Sequence, residues 1–126
     1  AHPRADTAAP AAVKDLKVTV RGDSATVQFT APADAGGKVA RYQLKCSDRP
    51  IVDYEAFLAA YNGLEDEKVC NWWMAVNLPG EPAPKGAGAA ESFTVTGVPA
   101  GAKYFALRAF DASDNRAPLS NVARGQ

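Results

Sequence analysis

Catalytic and metal sites are mostly built from histidine, cysteine and paired carboxylates, and this sequence uses them sparingly. His2 is the single histidine, and it lies in a tail rich in alanine and proline. A nucleophile needs a base held within hydrogen-bond reach, and no Ser/His/Asp or Cys/His arrangement can be assembled around a tail residue. Glu65 and Asp66 sit in a charged run with Glu67 and Lys68, with no pattern of burial around them. No acid/base role follows from that setting. These residues predict a chain with no catalytic machinery and no cofactor of its own.

The two cysteines, Cys46 and Cys70, are the next candidates. Cys46 alternates in phase with Tyr42 and Leu44, and Cys70 with Trp72, Met74 and Val76. Both phases read as core-facing, which predicts a Cys46–Cys70 disulfide in an exported protein. The alternative is a pair of buried free thiols in a cytosolic protein. With the cysteines paired and one tail histidine, no transition-metal cluster is expected. Asp111, Asp114 and Asn115 put three oxygen-bearing side chains in one loop, a candidate calcium site. Their spacing is not that of a recognised calcium loop, and the same residues suit turns.

Aromatic residues supply the candidate contact surface. Parity places the neighbours Trp72 and Trp73 on opposite faces of a strand, so they cannot form one platform. Trp72 reads as core, and Trp73 as a candidate contact for a sugar ring or a protein partner. Tyr54, Phe57, Leu58 and Tyr61 recur at helical spacing behind Asp53 as N-cap, with Asn62-Gly63 as a stop. The expectation is a short helix docked on the body of the protein. The alternative is an exposed patch, carried by Tyr54, Phe57 and Tyr61, that meets a neighbouring domain or subunit.

One further stretch spells a known signal. Arg21-Gly22-Asp23-Ser24 is the tetrapeptide through which some animal matrix proteins are held by cell-surface receptors. Here it lies between two alternating runs, Leu16/Val18/Val20 and Ala25/Val27/Phe29. Glycine and aspartate tolerate the positive φ of a tight hairpin, so turn chemistry accounts for the pair without invoking adhesion.

The elements that must position these residues follow a period of two. Beyond the first two strands, Tyr42/Leu44/Cys46, the run 68–77, Phe93/Val95, Phe105/Leu107/Ala109 and a last strand beginning at Leu119 all read as half-buried strands. Loops rich in Pro, Gly and Asp separate them at 31–39, 78–91, 97–103 and 111–118. The chain of 126 residues fits one domain, and 47% hydrophobic residues suffice for a core. The 14 basic and 14 acidic residues cancel, which argues against a phosphate-backbone ligand. No apolar run approaches the ~20 residues of a membrane-spanning helix. No signal-peptide pattern opens the sequence, which reads as a mature form or an excised domain. The expected organisation is a tail or linker over 1–11 and one domain over 12–126, with a helix-bearing insertion at 50–68. The expected fold is all-β: a seven-stranded antiparallel β-sandwich with one short helical insertion.

Two stretches carry a family resemblance. "VKDLKVTVRGDSATVQFTAPAD" followed by "VARYQLKCS" resembles the first three strands of a fibronectin type III domain, and "ESFTVTGVPAGAKYFALRAFDASDNRAPLSNVA" resembles its last three. The variant is the one found in bacterial secreted proteins, with Pro50-Ile51 after the third strand and the Gly80–Pro84 stretch after the fourth. Phe29 stands where the family usually has tryptophan, and the segment 50–68 is longer than usual. The family's adhesion tripeptide tops a different hairpin, which here reads "DASDNRAP". The resemblance implies a non-catalytic module of a larger extracellular, periplasmic or cell-surface protein. It would act as a spacer or a contact to other domains of the same protein or to a protein partner. The alternative it implies is a carbohydrate-binding accessory module of a polysaccharide-active enzyme. Neither reading involves nucleic acid or membrane insertion.

Overall fold

A computed structural model describes residues 10–33, 39–53, 69–112 and 115–126, with the side chain of Trp73 outside the description. Alternation of apolar and polar residues generates the first hairpin: β1 (Lys17–Arg21) pairs antiparallel with β2 (Ser24–Thr30). Their register closes on Arg21 opposite Ser24, leaving Gly22-Asp23 as a two-residue turn. Gly22 has φ of 62°, a value that costs glycine nothing. The tetrapeptide is therefore a tight turn, and the Asp23 carbonyl also accepts a 2.9 Å bond from the Val98 amide.

The remaining strands are β3 (Arg41–Ser47), β4 (Ile51–Val52), β5 (Cys70–Asn71), β6 (Val76–Leu78), β7 (Ala90–Val95), β8 (Tyr104–Phe110) and β9 (Ala123–Arg124). They form a three-stranded sheet in the order β1-β2-β7 and a four-stranded sheet in the order β6-β3-β8-β9, both antiparallel. A separate parallel pair joins β4 to β5. Val18, Ala25, Val27 and Val95 of one sheet meet Leu44, Cys46, Phe105 and Leu107 of the other in a single buried cluster. The two larger sheets thus face one another across a shared core, as in a β-sandwich.

Three edge devices limit unwanted strand pairing. The edge strand β6 is three residues long and is followed at once by Pro79. On the edge strand β7, Glu91 points inward, where its Oε2 accepts bonds from Tyr42 Oη at 2.7 Å and the Lys85 amide at 2.8 Å. The Lys85 ammonium caps the Ala90 carbonyl at 3.1 Å. Near β1, the chain end closes a seam between the sheets: the Val20 amide donates to Gln126 O at 2.9 Å, and the Gln126 amide to Val18 O at 3.2 Å.

Two expectations change. The run 68–77 is not one strand, because Trp72–Met74 forms a 3-10 turn between β5 and β6. A turn of about three residues breaks the two-residue phase, so Trp72 stays buried while Met74 and Val76 are exposed. The last strand begins at Ala123, not Leu119. Residues 120 and 121 are tied by backbone bonds, from the Ser120 amide to Leu107 O at 3.1 Å and from the Asn121 amide to Val13 O at 3.3 Å, and by their side chains. Ser120 Oγ accepts from the Leu107 amide at 2.9 Å, and Asn121 brackets Leu16, accepting from its amide at 2.8 Å and donating to its carbonyl at 3.1 Å. The helix expected behind Asp53 falls on residues 54–62, outside the described residues. Among those that are described, the helical structure is the single 3-10 turn.

Candidate functional site

The back of the four-stranded sheet carries a second, smaller packing layer. Alternation along β3 turns Arg41, Gln43 and Lys45 away from the inter-sheet core, and along β8 it turns Tyr104, Ala106, Arg108 and Phe110 the same way. A strand with one face in solvent would show alternating exposure, yet every residue from Phe105 to Phe110 is buried. The cover is the excursion between β3 and β6. Ile51, Cys70, Trp72 and Ala75 pack on Ala106, with Leu119 and Val122 at the margin.

Trp72 is the anchor of this layer. Its ring lies against two cations, with Lys45 Nζ 4.7 Å and the Arg108 guanidinium 5.2 Å from the ring centroid. Lys45 also donates to the Trp72 carbonyl at 3.0 Å. Arg108 forms an ion pair with Asp53 at the end of β4. Burial pushes the Lys45 ammonium below its ordinary range, and the neighbouring Arg108 charge adds to the effect. The pattern extends along the face: Arg41 stacks 3.8 Å over Phe110, and Arg124 lies 5.9 Å from the Tyr104 centroid. Each pair lays a long cationic side chain on an aromatic surface; Lys45 and Arg108 are buried there, whereas Arg41 and Arg124 remain exposed.

Two depressions flank this layer. The first is a cleft of about 360 Å³ between the start of β3 and the proline-rich loop, lined by Arg41, Gln43, Asn77 and Glu81 among others. Its polar groups brace one another: Gln43 Nε2 donates to Asn77 Oδ1 at 3.3 Å, and Glu81 Oε2 accepts from the Leu44 amide at 2.6 Å. The Glu81 carboxylate thus takes up a backbone donor beside the end of β6. The second is a recess of about 250 Å³ at the far end of β3, lined by Cys46, Cys70, Met74, Val76, Ala100 and Ala102 among others.

The residues singled out from sequence fall as follows. Cys46 and Cys70 are both buried free thiols here, so the expected bond between them is absent. The physical reason is that Cys70 does not face the inter-sheet core. Cys46 packs in that core, whereas Cys70 packs in the outer layer with Trp72. Asp111 is buried, and both of its oxygens are engaged by Asn115, through the amide to Oδ1 and Nδ2 to Oδ2, each at 2.9 Å. That is a turn brace of the kind Asp and Asn make in loops. Asp114 lies outside the described residues, as do Tyr54, Phe57 and Tyr61 and the side chain of Trp73. Trp72 is core, as parity suggested, but of the outer layer rather than the sandwich.

Sequence reasoning missed Lys45, Arg108 and Glu91, each of which reads as a solvated charge. A signal existed for the first two: the outward positions of β8 are Tyr104, Ala106 and Phe110 beside Arg108, too apolar for a face in water. No family model and no curated protein matches the chain.

Proposed function

We propose that the chain is a non-catalytic fibronectin type III-like module of a larger extracellular, periplasmic or cell-surface protein, serving as a spacer or as a contact to a neighbouring domain or protein. The observation that carries the reading is the strand order. Three strands, first-second-fifth of the main chain path, face four, fourth-third-sixth-seventh, once the small β4–β5 pair is set apart as part of an insertion. That order is the one expected of such a module, and the residues quoted for the resemblance fall on β1, β2, β3, β7, β8 and β9. A core closed on both faces of β8 and braced edges suit a rigid element that holds its shape under load. Fold alone does not assign a ligand, so the functional half of the reading rests on this rigidity and on a sequence whose single histidine, His2, lies in its tail.

The test joins this chain to its natural neighbours and compares amide spectra of the isolated and joined forms. Shifts confined to one contiguous face, with the isolated chain folded and monomeric, are the expected outcome. Retardation of the isolated chain in gels containing a soluble polysaccharide, together with a change in tryptophan emission, would replace this reading with the carbohydrate-binding one. Hydrolysis of any substrate by the isolated chain would overturn both.

A further inference from the structure

We propose that Cys46 and Cys70 form a redox pair, closing under a small-molecule disulfide to staple the excursion between β3 and β6 onto the sandwich. The inference does not depend on the functional reading above. It starts from placement. The chain has two cysteines, and both line the one recess at the end of β3. They come to it from different layers, Cys46 from the inter-sheet core and Cys70 from the outer cluster.

The two cysteines differ in how firmly they are held. Cys46 lies near the end of a seven-residue strand, paired with Phe105 of β8 on one side and Val76 of β6 on the other. Cys70 lies on a two-residue strand held by β4, with its amide donating to the Pro50 carbonyl at 2.7 Å. A disulfide needs Cβ atoms about 3.5–4.5 Å apart, and the light β4–β5 pair is the part that can shift to meet that need. Cys46 keeps its place in the core.

The chemistry balances with oxidised glutathione as the oxidant. Cys70 gives its proton to solvent and attacks one sulfur of the small disulfide, forming a mixed disulfide and releasing one glutathione thiolate. Cys46 then gives up its proton and attacks the Cys70 sulfur, forming the internal bond and releasing the second thiolate. The two released thiolates take up the two protons; the protein loses two electrons and the glutathione disulfide gains them. The order follows from burial: the Cys46 thiol is pushed up to about 11, first by burial and then by the neighbouring Cys70, so it is the poorer leading nucleophile and the natural resolving group.

The experiment incubates the whole chain with oxidised glutathione and then counts thiols after denaturation. Expected are a fall from two reactive thiols to none, a monomer by mass with no glutathione attached, and a Cys46–Cys70 linked peptide on digestion. The oxidised form should melt about 5–15 °C higher than the reduced form, since a bond across this span restricts the unfolded chain. Cys46→Ser should stop at one glutathione on Cys70. Should that variant fail to fold, Cys70→Ser serves, expected to remain largely unmodified because its thiol is the more deeply buried. Two thiols persisting in the wild type, a disulfide between two chains, or glutathione retained on both cysteines would each overturn the proposal.

Discussion

The inter-sheet core and the outer layer on the back of the four-stranded sheet are both buried, but they are built by different rules. The core is made from alternation: Val18, Val27, Leu44 and Leu107 arrive from four strands, and each element contributes one apolar side. The outer layer is made from a detour. One tryptophan, set by a 3-10 turn, packs with an alanine against two cations, and the Asp53 carboxylate, just past β4, meets one of those cations. The first is redundant, since many side chains share the load. The second hangs on Trp72. The comparison predicts that damage in the core is global and damage in the outer layer is local.

Phe105→Ala tests the first half and carries the largest expected effect. Phe105 is fully buried where both sheets meet, so truncation should cost about 3–5 kcal/mol and lower the melting temperature of the whole domain. Chemical denaturation followed by far-UV signal and by tryptophan emission should shift together. If only the tryptophan signal moved, the core would not be the unit that couples the sheets.

Trp72→Ala tests the second half. Removing the ring uncovers Lys45 and Arg108 and leaves a void over Ala106, at a cost of about 2–4 kcal/mol. Proteolytic cuts should appear between residues 48 and 75 while the sheet signal persists. Loss of the sheet signal at the same denaturant concentration would mean the two layers are one cooperative unit.

The same contrast explains what could be read in the sequence. The first hairpin, β3, β7 and β8 were legible because each has one apolar side, and a two-residue period reports a single buried face. Gly22-Asp23 was legible because the turn demands that chemistry. The outer layer was not, because its determinants are long-range. Lys45 and Arg108 alternate with core residues as solvated charges do, and the approach of Trp72 and Asp53, distant in sequence, gives them buried partners. The 3-10 turn broke the phase that grouped Met74 and Val76 with Cys70 and turned those two outward, and Cys70 reaches the recess beside Cys46 from the outer layer rather than from the core.

Alkaline pH separates the layers by chemistry rather than by truncation. In the reduced protein the Cys46 thiol is raised from 9.0 to about 11. A raised folded-state pKa means that the unfolded chain loses its proton first. The stabilisation is therefore complete below pH 9 and is lost as pH rises from about 9 to about 11. The loss should amount to about 2–3 kcal/mol. Tyr42, raised by burial and by its bond to Glu91, extends the same fall to higher pH. Cys46→Ala should flatten the pH 9–11 portion of the stability curve, measured by urea midpoints, and leave the later portion. An unchanged curve would place the alkaline sensitivity elsewhere.

The smallest effect concerns the seam where the sheets meet at the chain end. Gly125 passes so close to the core that a Cβ there would lie 2.8 Å from Val20 Cγ2 and 2.9 Å from Phe105 Cε1. Its amide meanwhile donates to the Lys103 carbonyl at 2.8 Å, which fixes the backbone in place. Gly125→Ala therefore has little room to yield, since Phe105 is packed on every side and Val20 is half-buried. Overpacking of this kind costs about 1–3 kcal/mol. The response tells which layer the seam belongs to. Faster exchange of the Val20 and Gln126 amides with the β8 amides unchanged would assign it to local closure. A fall in β8 protection would show that the pressure passes through Phe105 into the shared core, and the two outcomes are separable in one exchange experiment.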